Sequence, residues 1–159
     1  MDVYRGLRDC GIGLVASVPC VNLGELLRLI ASDPGIEHLA VTREEEGIGI
    51  CAGAHLGGTR AAILMQNSGL GNSINALASL DLLYGIPLLM VISHRGVENE
   101  PVCAQVPMGE LTAPLLEAMG IRAFVPGPGG AREAVNRAWE EAERTGRPAA
   151  VLLTPSQWR

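Results

Sequence analysis

Residues 37–77 read EHLAVTREEEGIGICAGAHLGGTRAAILMQNSGLGNSINAL, and this run decides the fold class. An apolar strand is predicted over 37–41, a helix from Arg43 to about Leu56, an apolar strand over 61–66 and a helix over about 70–83. A strand apolar on both faces must be covered on both faces. Strand–helix alternation achieves this in a parallel sheet whose connections are helices. Working outward, the same alternation continues in both directions. Upstream lie a short helix (2–11), a strand (13–18) closed by Pro19, and a helix to about Ser32 that Asn22 is placed to cap. Downstream, Pro87 opens a strand through Ile92, and residues 95–108 carry no period and read as a loop. A helix (109–119), a strand (121–125), a helix (131–145) and a final strand (149–153) complete the pattern. The expectation is one α/β domain over 1–159, a three-layer α/β/α sandwich with a mostly parallel sheet. Ligands in such sheets sit beyond the carboxyl ends of the strands, which directs attention to residues 18–22, 41–45, 66–71 and 93–108.

Composition narrows the function classes. The chain of 159 residues is 48% hydrophobic and only 18% charged, with a mean hydropathy of +0.25. A chain of ~150 residues buries roughly 70% of its unfolded surface alone, so this apolar excess points to surface buried against partner chains. The longest strongly apolar run, Ile86 to Ile92, is far short of the ~20 residues of a spanning helix, so no membrane is expected. Twelve basic against 17 acidic residues give a net charge of −5 with no basic stripe, which argues against nucleic acid. The N-terminus offers no apolar signal core, and the reading is a cytoplasmic protein. Cys10, Cys20, Cys51 and Cys103 are widely spaced, so they read as reduced thiols, and no metal site is expected in this chain.

Four segments at predicted strand ends can carry chemistry. In Thr42-Arg43-Glu44-Glu45-Glu46, Thr42 and Glu45 have the spacing of a capping box, and carboxylates in a first turn suit the helix dipole. That explains Glu45 and Glu46 and leaves Glu44 free for a ligand. The following helix contains a G-x-G-x-x-A string, but its glycines lie inside the helix rather than in the preceding turn, and three glutamates would repel a pyrophosphate. So many small residues, with each glycine costly in a helix, imply that another backbone or a flat ligand comes close. Gln66-Asn67-Ser68-Gly69-Leu70-Gly71-Asn72, between a strand and a helix, is rich in donors and glycine, suited to an anion or a flat polar ring. His94-Arg95 places a guanidinium where it can bind a carboxylate, phosphonate or sulfonate, or else pair internally with Glu98 or Glu100.

The strings VTREEEGIGICAGAHL (41–56), LMQNSGLGNSINAL (64–77) and YGIPLLMVISHRG (84–96) resemble the thiamine-diphosphate-dependent 2-keto acid decarboxylases. The match covers about 41–96, with weaker similarity at SVPCVNL (17–23) and in the loop to Gly109. The resemblance implies a pyrimidine-binding (PYR) domain in an alpha-type subunit. It implies that Glu44, nine residues before Gly53, hydrogen-bonds N1′ of the cofactor's aminopyrimidine, and that Asn67 to Asn72 flank that ring. It also implies that Asn22, His94 and Arg95 face the substrate. The implied reaction is decarboxylation of 3-sulfopyruvate to sulfoacetaldehyde and CO2, a step towards coenzyme M, with phosphonopyruvate or another 3-substituted pyruvate as the alternative substrate. A non-catalytic nucleotide-binding or scaffolding domain is the rival reading, and an intact Glu44 and QNSGLGN segment argue against it.

Two departures from the family pattern matter. No GDG sequence, the family's diphosphate and Mg2+ signature, occurs anywhere in the chain. The resemblance therefore implies a beta subunit that carries GDG and holds Mg2+, with self-association of the PYR domains. Related decarboxylases also often carry a histidine after Glu-Pro. Here Glu100-Pro101 is followed by Val102, Cys103, Ala104 and Gln105, so an acid–base histidine is His94 or belongs to the partner.

Overall fold

The computed structural model describes residues 2–158. In chain order the elements are α1 (Asp2–Asp9), β1 (Leu14–Ser17), a 3-10 turn (Val21–Leu23), α2 (Gly24–Ala31), β2 (Glu37–Ala40), α3 (Glu44–Leu56), β3 (Ala61–Gln66) and α4 (Asn67–Ala76). A π-helical segment (Leu77–Asp81) then leads into α5 (Leu82–Tyr84), β4 (Leu89–Ser93), a second 3-10 turn (Cys103–Gln105), α6 (Val106–Ala118), β5 (Arg122–Phe124), α7 (Ala131–Thr145), β6 (Ala149–Leu153) and α8 (Pro155–Trp158). The six strands form one sheet in the order β2-β1-β3-β4-β6-β5, and every pairing is parallel. The expected three-layer α/β/α architecture is present.

Period-two alternation along the strands divides the core. Ala62 and Leu64 of β3 join Val15, Val91 and Val151 beneath Leu7, Ile30, Val135 and Trp139 of α1, α2 and α7. Ile63 and Met65 join Ala16, Met90 and Leu152 beneath Ile48, Leu70 and Leu116 of α3, α4 and α6. The central strands β1, β3, β4 and β6 are buried almost throughout, whereas β2 at one edge is half-exposed. α3 presses onto the sheet at Gly47, where a Cβ would stand 2.9 Å from Ile63 and 3.3 Å from Ala16. By contrast, Gly49 and Gly53 of the same helix face open space. Among the described residues no helix is long and apolar enough to cross a membrane.

Four local expectations are corrected. The capping box at Thr42 and Glu45 does not form. α3 has Arg43 as its N-cap, with no side-chain cap bond, so Glu46 occupies the third helical position and accepts the Thr42 amide at 3.0 Å, while Glu45 pairs with Arg43. Asn22 does not cap α2, because a 3-10 turn closed by Leu23 N–H to Cys20 O (3.0 Å) takes up residues 21–23 and makes Leu23 the N-cap. The helix expected over 70–83 begins at Asn67 and breaks into the π-helical segment at 77–81. The loop expected to run to 108 ends at 105, because Pro107 lies in the first turn of α6, where its missing N–H has no partner to lose.

Candidate active site

From β1 the chain crosses to β2 at the sheet edge and then returns past β1 to β3. This makes the crevice between the carboxyl ends of β1 and β3 a topological switch point. α3 lies over β1 and β3, and its first residue, Glu44, stands at that end. The Glu44 side chain is buried, at 8% exposure, and its Oε2 accepts a hydrogen bond from Asn72 Nδ2 at 3.2 Å. Among the described residues no other side chain donates to it. Gly69, one turn before Asn72 on α4, lies directly against the Glu44 carboxyl group. A Cβ there would overlap the carboxyl carbon and Oε1, so any larger residue would force the Glu44 side chain to turn aside. Glu44, Gly69 and Asn72 thus converge at the start of two packed helices, as the sequence reading expected them to lie together.

The remainder of the 67–72 segment divides between inside and outside. Asn67 is completely buried: its Nδ2 donates to Arg95 O (3.0 Å) and Thr112 Oγ1 (2.9 Å), and its Oδ1 accepts the Arg95 amide (3.1 Å). Leu70 is buried in the core beside α3. Ser68 is exposed and takes a hydrogen bond from Gln66 Nε2 (2.9 Å), which also donates to Gln105 Oε1 at 3.1 Å. Gly71 has Met108 as its nearest neighbour, and Asn72 is exposed.

At the end of β4, His94 is buried; its amide donates to Leu153 O (2.7 Å) and its Nε2 to Gly109 O (3.0 Å). Arg95 pairs with Glu100, the second of its two internal alternatives: Nε and Nη2 each lie 2.5 Å from a carboxylate oxygen. This pairing holds the Glu100 carboxyl well below the usual range, at about 2. Cys20 Sγ lies 3.2 Å from Ser93 Oγ and ties the β1 loop to the β4 end. Asn22 is half-buried on the adjoining 3-10 turn. Sequence reasoning marked Gln66 only as part of its polar segment, without a role of its own, and missed Gln105 and Thr112. The signal for Gln66 was present, since it is the one polar residue closing an apolar strand. Nothing local marked the other two, which arrive from about forty residues away.

No protein-family model matches the chain. It is 52% identical over 157 residues to sulfopyruvate decarboxylase subunit alpha of Methanothermobacter thermautotrophicus, covering 98% of this chain and 95% of that one. The chain belongs to this family of alpha subunits. A longer relative, sulfopyruvate decarboxylase of Methanosarcina acetivorans, is 37% identical over 156 residues, covering 98% of this alpha-type chain and 40% of that protein. The thiamine diphosphate-dependent 4-hydroxybenzoylformate decarboxylase of Rhodococcus jostii RHA1 superposes with a TM-score of 0.70 at 22% identity, over 99% of this chain and 30% of that one. The last comparison establishes a shared fold, with the alpha-type chain corresponding to one portion of a much longer enzyme.

Proposed function

We propose that this alpha-type chain is a single PYR domain over 1–159 and supplies the pyrimidine half of a thiamine-diphosphate site that decarboxylates 3-sulfopyruvate to sulfoacetaldehyde and CO2. The observation that carries the reading is Glu44: a buried carboxyl at the switch point, steadied by one donor and packed against Gly69. Such a group fits the cofactor, because one oxygen is engaged by Asn72 and the other remains able to meet a ring N–H. Thiamine diphosphate, when bound, supplies a nucleophilic carbon and an electron sink for the carboxylate's departing electrons.

The chain's own residues do the rest. Glu44 holds a proton at the aminopyrimidine N1′, and Asn72 fixes the rotamer that aims it. Ser68, Gly69 and Gly71 flank the ring with little side-chain bulk, while Asn67 and Leu70 hold that segment in place from within. Arg95 receives the anionic tail of the keto acid beside Asn22. His94, engaged with Gly109, shapes the wall of the site.

The diphosphate and Mg2+ belong to a beta subunit carrying GDG, since the aspartates of this chain (Asp2, Asp9, Asp33 and Asp81) all lie outside such a motif. The relative from Methanosarcina acetivorans supports this division, since this chain matches only 40% of it. The open Gly49 and Gly53 on α3, with exposed Leu56 at the end of that helix and exposed Leu83 and Tyr84 on α5, support self-association of PYR domains. The assembled enzyme works in the cytoplasm, on the path towards coenzyme M.

The test is titration calorimetry of the purified chain with thiamine diphosphate and Mg2+, paired with product assays on 3-sulfopyruvate and phosphonopyruvate after adding the partner. Weak binding alone, with sulfoacetaldehyde formed only in the complex, is expected. Turnover by the isolated chain would overturn the half-site reading, and preference for phosphonopyruvate would overturn the substrate.

A further inference from the structure

Arg95 is gripped from two directions by residues distant from one another in sequence. Asn67 clamps its main chain on both sides, offering Nδ2 to the carbonyl and Oδ1 to the amide. Glu100 grips its guanidinium through Nε and Nη2. The Glu100 carboxylate also accepts the amides of Gly96 (3.3 Å) and Val102 (3.1 Å), so four donors surround a side chain only 2% exposed. The Arg95 side chain remains 21% exposed, and among the described residues its Nη1 has no hydrogen-bond partner.

The connecting loop is built for this contact. Gly96 (φ 82°), Glu98 (φ 53°) and Asn99 (φ 60°) are all left-handed, a conformation that side-chain-bearing residues adopt at a cost. This turns the chain back so that Glu100 meets Arg95. Glu98 anchors the tip of the loop by accepting the Ser156 amide at 3.0 Å. No Cβ fits at Gly96, whose Cα abuts Gln105 and Gly109. A strained loop whose acidic residue is spent on one arginine has a use for that arginine's orientation.

We propose that Glu100 is a positioning residue that presets Arg95, so that the free Nη1 edge receives the anionic tail of the 2-keto acid. The inference rests on the reading of Arg95 as the tail receptor. A long flexible side chain loses rotamer freedom when it binds an anion. Glu100 removes that freedom in advance and leaves a defined pair of N–H donors at the surface. Because the pair is neutral overall, its outward edge recognises the tail by hydrogen-bond direction more than by net charge.

The experiment uses the complex reconstituted with its partner subunit. KM and kcat for 3-sulfopyruvate, and the inhibition constant of pyruvate as a tail-less competitor, are measured for wild type, Glu100→Gln, Arg95→Ala and the double variant. Glu100→Gln is expected to raise KM roughly three- to tenfold, the scale of one immobilised side chain, with kcat and the pyruvate constant unchanged. Arg95→Ala and the double variant should share one KM, because Glu100 acts only through Arg95. An unchanged or lower KM in Glu100→Gln overturns the inference, as does an equal KM rise in the Arg95→Ala background or a parallel shift in the pyruvate constant. If Arg95→Ala itself leaves KM unchanged, the underlying reading of Arg95 fails, and the inference with it. Arg95→Ala strands a buried carboxylate, so the double variant is the safer fold. Should Glu100→Gln not assemble, Arg95→Lys carries the test: it keeps the charge, loses the two-pronged grip and should raise KM, and an unchanged KM overturns the proposal.

Discussion

The helices packed over one face of the sheet carry two buried carboxyl groups in contrasting settings. Glu44 opens α3, receives a hydrogen bond from Asn72 and stands at the carboxyl end of the sheet. Asp81 closes the π-helical segment that follows α4, is 0% exposed, and among the described residues has no hydrogen-bond partner for either oxygen. Burial pushes the Asp81 carboxyl up to about 7, opposed only by its own main-chain amide. Its titratable neighbour on α3 is Cys51, whose thiol burial raises to about 12. α4 and α5 contribute no charged residue near it. A search for perturbed acids alone would choose Asp81, whereas topology and donor chemistry choose Glu44. Burial makes a carboxyl group costly, and what makes it useful is a place where a ligand can reach it.

The sharpest way to break this contrast is to neutralise each acid. Glu44→Gln should reduce C2 proton exchange of the cofactor in the complex by about 10²-fold or more, the scale of a lost proton-transfer partner, without loss of fold. Deuterium exchange followed by NMR reads this directly, and normal exchange would remove Glu44 from the mechanism.

Asp81→Asn should act on stability instead. Its folded pKa of about 7 lies above the ordinary 3.8, so the stability linked to its proton is fully present below about pH 4. That stability declines as pH rises and is gone above 7. The loss totals about 4 kcal/mol at ~1.4 kcal/mol per unit. Urea unfolding at pH 5 and pH 8 should show wild type losing stability between them and Asp81→Asn losing much less. Equal losses would show that Asp81 finds a partner in solution.

Gly69→Ala sharpens the other end. Its Cβ would overlap the Glu44 carboxyl group, so Glu44 must turn aside, at about 1 kcal/mol for the displaced rotamer. Thermal unfolding together with the exchange measurement tests both effects, and a variant with wild-type values would show that α4 has slack at this point.

The smallest effect separates the flanking glutamates. Glu46→Ala removes the acceptor of the Thr42 amide and should cost about 1 kcal/mol. Glu45→Ala breaks only an exposed pair with Arg43 and should change stability by no more than about 0.5 kcal/mol. Equal costs would return the cap to the register that the Thr42–Glu45 spacing suggested.

Legibility follows the range of the interactions involved. Helices 44–56 and 131–145 and strands 61–66 and 149–153 stand within a residue of their expected limits, because local signals bound them: Gly57 and Gly58 after the first helix, Gly130 and Gly146 around the second, and short apolar runs in the strands. The place of Glu44 at a strand end was legible for a related reason: it is a local property. The start of α4 was not, because Asn67 begins a helix only when Arg95 and Thr112 satisfy its side chain.

The sequence by itself determined the alternation of strand and helix, the burial of the central strands and the loops where a ligand can dock. Periodicity and turn chemistry act within a few residues of one another. Only the tertiary structure decided the strand order, the choice of Glu100 over Glu98 as the partner of Arg95, the meeting of Gly69 with Glu44, and the isolation of Asp81. Each depends on which distant backbone or side chain arrives beside a polar group. A polar group's partner is set by proximity in space, and the chain reveals that proximity only after both layers of the core have packed against the sheet.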